Sequence, residues 1–291
     1  RVSSHMATSP PGWPLLYAGL GGLLDRLPTL ARWLAGPLRD LQCHHVEWMH
    51  LSDGQVASAW FGMAAPLWAA LSLLPLYGAA RRLGGETLAR RAIAWWALTP
   101  SLALFTGTLA TPYPLLGNIM LWLLVRGLDA RSAIWLVAAG ALTVLGALVS
   151  FSLLPLALTW ALFAGLQLWA GEDAQSLKMR LLAMVALWCC LGAGAVYLLY
   201  WLLAGHTPWD LLRASMAFHL GHIERPYGPW LILHTWDYLL FLGPPLLALS
   251  LASLRRWRHS AATRLSLATA LTLLVLVLSG TGRGETGRIW L

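Results

Sequence analysis

Eight apolar runs follow one another along the chain, at about 55–78, 91–107, 112–126, 133–150, 153–170, 181–204, 236–254 and 264–279, with most of the basic residues in the connections on alternate sides. A helix needs about 20 apolar residues to cross a hydrocarbon core of about 30 Å, and these runs come close to that length. They read as membrane-spanning helices. Composition agrees, with 58% hydrophobic and only 11% charged residues and a mean hydropathy of +0.63, values that belong in a bilayer rather than in water. Pro112, Pro114 and Pro155 lie inside or at the ends of runs, where neighbouring helices or cavity water can satisfy the freed backbone. The fold class expected is therefore all-α, a polytopic membrane protein of about eight transmembrane helices.

Residues 1–54 are of another kind. After the breaker Ser9-Pro10-Pro11-Gly12-Trp13 come two apolar stretches, 15–24 and 27–41, interrupted by Asp25, Arg26, Arg32, Arg39 and Asp40. Both are too short or too charged to span, and amphipathic helices lying in the interface fit them better. The chain divides into this juxtamembrane part (1–54) and a transmembrane helical domain (55–291) with an outer loop at 205–235.

Charge sets the orientation. Connections on one side hold 12 bases and 4 acids, and those on the other hold 8 of each. By the positive-inside rule the first side is cytoplasmic. The opposite, outer face then carries residues 1–54, the loop 205–235 and the terminal stretch Ser279-Gly280-Thr281-Gly282-Arg283-Gly284-Glu285-Thr286-Gly287-Arg288-Ile289-Trp290-Leu291. A net charge of +8 spread over such loops does not point to nucleic acid. Cys43, Cys189 and Cys190 form no disulfide framework. The chain opens at Arg1 with neither an initiator Met nor a signal peptide and stops as an apolar segment begins, which reads as a piece of a longer protein.

The chemistry-bearing residues collect on the outer face. Eight of the nine histidines fall there, with His259 alone on the other side. Arg283, Glu285 and Arg288 stand in a glycine-rich turn beside hydrocarbon, where charges usually pair, face water or mark a site. Two guanidiniums match a phosphate, and the glycines let backbone approach a ligand. An Arg–Glu–Arg cluster that merely caps two helices is the competing reading. Cys43-His44-His45 with Glu47 and His50 has metal-ligand residue types, but the H-E-x-x-H arrangement is absent and no metal site is assigned. No phosphate loop, dinucleotide fingerprint or nucleophile elbow occurs.

Three stretches carry a family resemblance. Ser4-His5-Met6-Ala7-Thr8-Ser9-Pro10-Pro11-Gly12-Trp13 is similar to a His-Pro-Pro juxtamembrane motif, with Ser9 where His is usual. Leu76-Tyr77-Gly78-Ala79-Ala80-Arg81-Arg82-Leu83-Gly84-Gly85 resembles the end of a span that follows such helices. Arg283-Gly284-Glu285, followed by Arg288-Ile289-Trp290, looks like a late outer-loop signature. Together they resemble the GT-C-fold glycosyltransferases that use polyprenyl-phosphate-linked sugars, in particular bacterial relatives of protein O-mannosyltransferases and lipid A aminoarabinose transferases. The resemblance implies an enzyme of a bacterial cytoplasmic membrane, with its active site on the outer face. It would move a sugar from a polyprenyl-phosphate donor to a protein, lipid or glycan acceptor.

Carried onto this chain, the resemblance offers Arg283, Arg288 and Arg225 for the lipid phosphate and Glu285 to orient an arginine or a sugar hydroxyl. His5, His222, Tyr227 and Asp237 would line the cavity. The catalytic Asp or Glu of such enzymes is expected upstream of Arg1, so no residue here is appointed to that role. The turn 108–113, acidic in many relatives, has no acid here. No soluble cofactor is implied, and dependence on a divalent metal is left open. A secondary transporter, or a non-catalytic scaffold subunit of a cell-envelope complex, are the alternatives.

Overall fold

The structure is a computed structural model, and it describes residues 9–41, 46–104, 108, 110–171, 174–221 and 226–280, without the side chains of Ala103 and His219. Among the described residues all regular structure is helical. In chain order the helices are α1 (Gly12–Asp25), α2 (Pro28–Asp40), α3 (Val46–Met49), α4 (Asp53–Ser58), α5 (Trp60–Met63), α6 (Ala65–Leu71), α7 (Leu73–Ala97), α8 (Pro100–Leu104), α9 (Tyr113–Ala130), α10 (Ala133–Val149), α11 (Leu154–Trp169), α12 (Gln175–Ala204), α13 (Pro208–Gly221), α14 (Tyr227–Leu242), α15 (Pro244–Leu254) and α16 (Ala261–Ser279).

Among the described residues three helical stretches are long and apolar enough to cross a membrane: Phe151–Trp169, Gln175–Ala204 and Ala261–Ser279, with mean hydropathies of 1.6, 2.1 and 1.9. The count rises to at most five if each of two bent pairs forms one span. The expected eight are therefore too many, and the reason is local. The run 55–78 bends by 48° between Met63 and Ala65. The run 91–107 is cut at Ala97, before the five-residue α8. Helix α9 carries Asn118, Arg126 and Asp129 within its 18 residues, and α10 has 17 residues, about 26 Å of helix against a core of about 30 Å. The run 236–254 breaks at Gly243, where α14 and α15 meet at 108°. The connection 205–235, read as a loop, is largely helical, occupied by α13 and the first turns of α14.

Helix α7 is two limbs. Gly84 and Gly85 leave helical geometry, Gly85 with φ +78° and ψ −175°, a region open to glycine and almost nothing else. Trp96 Nε1 donates to Ser72 Oγ at 3.0 Å. A straight helix would hold residues 24 apart at about 36 Å, so the limbs lie antiparallel. The same Ser72 offers its carbonyl to Asn118 Nδ2 of α9 at 3.2 Å.

The core gathers around α9, where Leu121, Leu124 and Val125 pack with Leu136 of α10, Phe163 of α11 and Ala268 of α16. The tightest pairing is α10 on α12. A Cβ placed on Gly140 would sit 1.9 Å from the Cys189 carbonyl oxygen, and one on Gly192 would sit 1.9 Å from that of Val137. Hydrocarbon offers little drive to bring helices together, so small residues that admit backbone-to-backbone contact supply dispersion instead. The flanks stay apolar: Leu203, Ile232 and Leu74 are 79%, 75% and 69% exposed. Such an exterior suits a lipid environment.

Helices α1, α2 and α4 form a separate small cluster. Ala35, Leu38, Val56 and Ala57 are its apolar centre. Asp25 accepts from Ser52 Oγ at 2.9 Å and from the Gly54 amide at 3.0 Å, and so satisfies the start of α4. Arg39 pairs with Asp53 at 3.0 Å and donates to the carbonyls of Trp48 and Leu51. Trp13 Nε1 reaches the Tyr113 hydroxyl at 3.3 Å, which docks the cluster on the start of α9.

Candidate functional site

Antiparallel packing sorts the bundle into two ends. Arg82 meets Asp129 at 3.4 Å, and Arg264 Nε donates to Gln167 Oε1 at 2.8 Å. The turns between α9 and α10 and between α11 and α12 therefore lie with the start of α16 at one, basic end. At the other end stand the N-terminal cluster, the start of α9, the turn at Phe151–Leu153 and the end of α16.

A cavity of about 260 Å³ opens in that second half, between α9, α11 and α16 with α8 along one side. Pro114, Leu153, Leu156, Leu273 and Leu276 make much of its wall. Polar groups enter singly. Thr159 Oγ1 donates to Thr272 Oγ1 at 3.0 Å, and Asn118 is held by Ser72. Ser101 Oγ and Trp160 Nε1 are buried, with no hydrogen-bond partner among the described residues. Buried donors are almost always satisfied, so two orphans in one cavity wall mark where a ligand acceptor or water would bind. Among the described residues, no Asp, Glu, Lys, Arg or His belongs to the lining. The described wall can therefore hold and orient an apolar molecule bearing a few acceptors, and it supplies no carboxylate or imidazole for proton transfer.

Of the eight sequence-predicted site residues, two are described. His5, His222, Arg225, Arg283, Glu285 and Arg288 lie outside the described residues. Tyr227 opens α14, and its hydroxyl donates to the Leu278 carbonyl at 2.6 Å. That bond ties α14 to the last turn of α16, two residues past the cavity-lining Leu276 and five before Arg283 in sequence. Asp237 sits half-buried on the same helix, ten residues on and about 15 Å further along the axis. The structure thus does not bring Tyr227 and Asp237 to one point. His234, one turn before Asp237, is 1% exposed with its ring 5.5 Å from that of Trp230, a packed position rather than a loop position.

No group of three or more His, Cys, Asp or Glu that could hold a metal occurs among the described residues, and Cys43, His44 and His45 lie outside them. Sequence reasoning did not reach Ser101, Asn118, Thr159, Trp160 or Thr272. Asn118, an amide within an apolar run, and the prolines in the adjoining helices were the visible signals. No protein-family model, curated protein or solved structure matches the chain.

Proposed function

We propose that the protein is an integral membrane glycosyltransferase of the GT-C type. It would move a sugar from a polyprenyl-phosphate donor to an acceptor at the membrane face opposite the basic end. The observation that carries this reading is the cavity: it is apolar, it lies in that half of the bundle, and α16 leads from its wall directly into Arg283, Glu285 and Arg288. An apolar chamber walled by a helix that two arginines follow in sequence suits an amphipathic substrate with a hydrocarbon tail and a phosphate head. In this reading the arginines hold the lipid phosphate, which gains charge as the glycosidic bond breaks. Tyr227, docked on Leu278, steadies the end of α16 from which the arginines extend. The general base for the acceptor hydroxyl is assigned to no residue of this chain.

The test is release of polyprenyl phosphate from a polyprenyl-phosphate sugar by the membrane-embedded protein. Arg283→Ala is expected to lower turnover about a hundredfold, the order reported when one transition-state donor is removed. Unchanged transfer in that variant would sink the assignment. The 108° break between α14 and α15 favours one other reading, a secondary transporter, since such proteins interrupt their helices at the binding site. Solute flux in sealed vesicles without lipid-linked sugar turnover would select it.

A further inference from the structure

The basic end holds a second pocket, of about 170 Å³, away from the cavity just described. Asp129 reaches it from the last turn of α9 and Arg131 from the α9–α10 turn, Gln167 and Leu168 from the end of α11, and Leu181 and Met184 from the first turns of α12. Its polar side is built to donate. Gln167 Oε1 already accepts from Arg264 Nε at 2.8 Å, which orients the amide and leaves its NH2 as the group on offer. Asp129, the carboxylate in the wall, is engaged by Arg82 at 3.4 Å. Arg82 and Arg264 touch its Asp129 and Gln167, and Arg131, Lys178 and Arg180 belong to the lining or stand within three residues of it in sequence, as do the acids Asp129, Glu172 and Asp173.

Arg131 is the unusual member. It ends α9 with φ 47° and ψ 40°, the sole non-glycine residue at positive φ among those described. That left-handed cap position ordinarily belongs to glycine or asparagine. An arginine held there at a steric cost points to a use for its side chain.

The rest of the pocket is hydrocarbon-like. Leu168, Leu181 and Met184 line it, and exposed Trp169, Met179, Leu182 and Leu187 continue the apolar surface outward along α11 and α12. A donor-rich hollow that opens onto a lipid-facing helix fits an amphiphile better than a free anion. Basic pockets between helices at a membrane surface bind acidic lipid headgroups in this way. We propose that this pocket holds the phosphodiester headgroup of an anionic phospholipid, with Arg131 and the Gln167 amide donating to it and an acyl chain laid along α12.

The experiment is native mass spectrometry of the detergent-purified chain titrated with dioleoyl phosphatidylglycerol or with dioleoyl phosphatidylcholine, with lipid-free thermal stability measured in parallel. The wild type is expected to retain one phosphatidylglycerol at concentrations where phosphatidylcholine is lost. Arg131→Gly relieves the backbone, so lipid-free Tm should stay level or rise while phosphatidylglycerol affinity falls at least about fivefold, the worth of one basic residue at a lipid surface. Gln167→Glu keeps an acceptor for Arg264 and replaces the NH2 donor by an acceptor, and should lose the lipid to a similar degree. Equal retention of the two lipids, or wild-type phosphatidylglycerol binding in either variant, would overturn the proposal. Displacement of the lipid by millimolar inorganic phosphate would overturn it too, marking a site for a soluble anion.

Discussion

The N-terminal cluster and the bundle behind it both bring glycines against backbone, and differ in how much polar pinning is added. Helices α1, α2 and α4 are short, and their apolar centre is four buried residues. Their arrangement depends on a carboxylate at a helix start, Asp25 on Ser52 and Gly54, and on one arginine bridging two carbonyls and Asp53. The pair α10–α12 relies on glycines set against carbonyl oxygens, with no Cβ between the backbones; the cluster has one such contact, Gly54 against the Gly21 carbonyl, and adds the polar pins to it. Polar pins are directional and tolerate a change in neighbouring volume; backbone contact has no direction and tolerates none. A segment with water at hand can rely on the first, whereas helices flanked by hydrocarbon need the second.

Four substitutions test this contrast, taken from the largest expected effect downward. Gly140→Leu should be the most damaging, because the new side chain meets the Cys189 carbonyl rather than a movable side chain. A loss of about 3 kcal/mol, at the upper end for overpacking, would appear as aggregation or a sharp fall in Tm, and a well-behaved Gly140→Leu protein would refute close contact. Asp25→Ala should cost about 1 kcal/mol, as lost helix caps do, and confine its effect to the cluster. Hydrogen exchange should quicken over residues 12–63 and stay unchanged in α10 and α12; a rise in both would mean that the two regions unfold together.

Thr272→Val keeps the shape at the α11–α16 contact and deletes the bond to Thr159. The expected loss is about 0.6 kcal/mol, the average for hydrogen bonds between membrane helices, measurable by a double-mutant cycle with Thr159→Val. The mildest test lies at α13. The Thr207 hydroxyl and amide hold the Asp210 carboxyl below its ordinary pKa. A depressed folded pKa gives stability that is present above the ordinary carboxylate range and lost as pH falls through it. Protection factors at the first amides of α13, corrected for the pH dependence of intrinsic exchange, should therefore fall on acidification, and Asp210→Asn should flatten that response.

Much of the helical content was legible. The stretches 15–24 and 27–41 correspond to α1 and α2, and 153–170, 181–204 and 264–279 correspond to continuous apolar helices. The other runs misled because hydropathy averages over a window and does not report whether the backbone is continuous. Gly243 costs a single apolar position in the run 236–254, yet it turns the chain by 108°; the reversal at Gly84 and Gly85 falls in the connection expected between two runs. The site was less legible still. Ser101, Asn118, Trp160 and Thr272 come from four separate helices, and no spacing in the chain relates them.

By itself the sequence determined the solvent and the element type: apolar runs, few charges and bases weighted to alternate connections demand helices in an apolar medium, because that is where such side chains lose least. Tertiary structure decided which faces meet, where two runs become one broken helix, and that α9, α11 and α16 leave a cavity between them. Those outcomes depend on the fit of surfaces far apart in the chain. The volume of Leu156 or the missing Cβ of Gly192 has no consequence until another helix arrives against it.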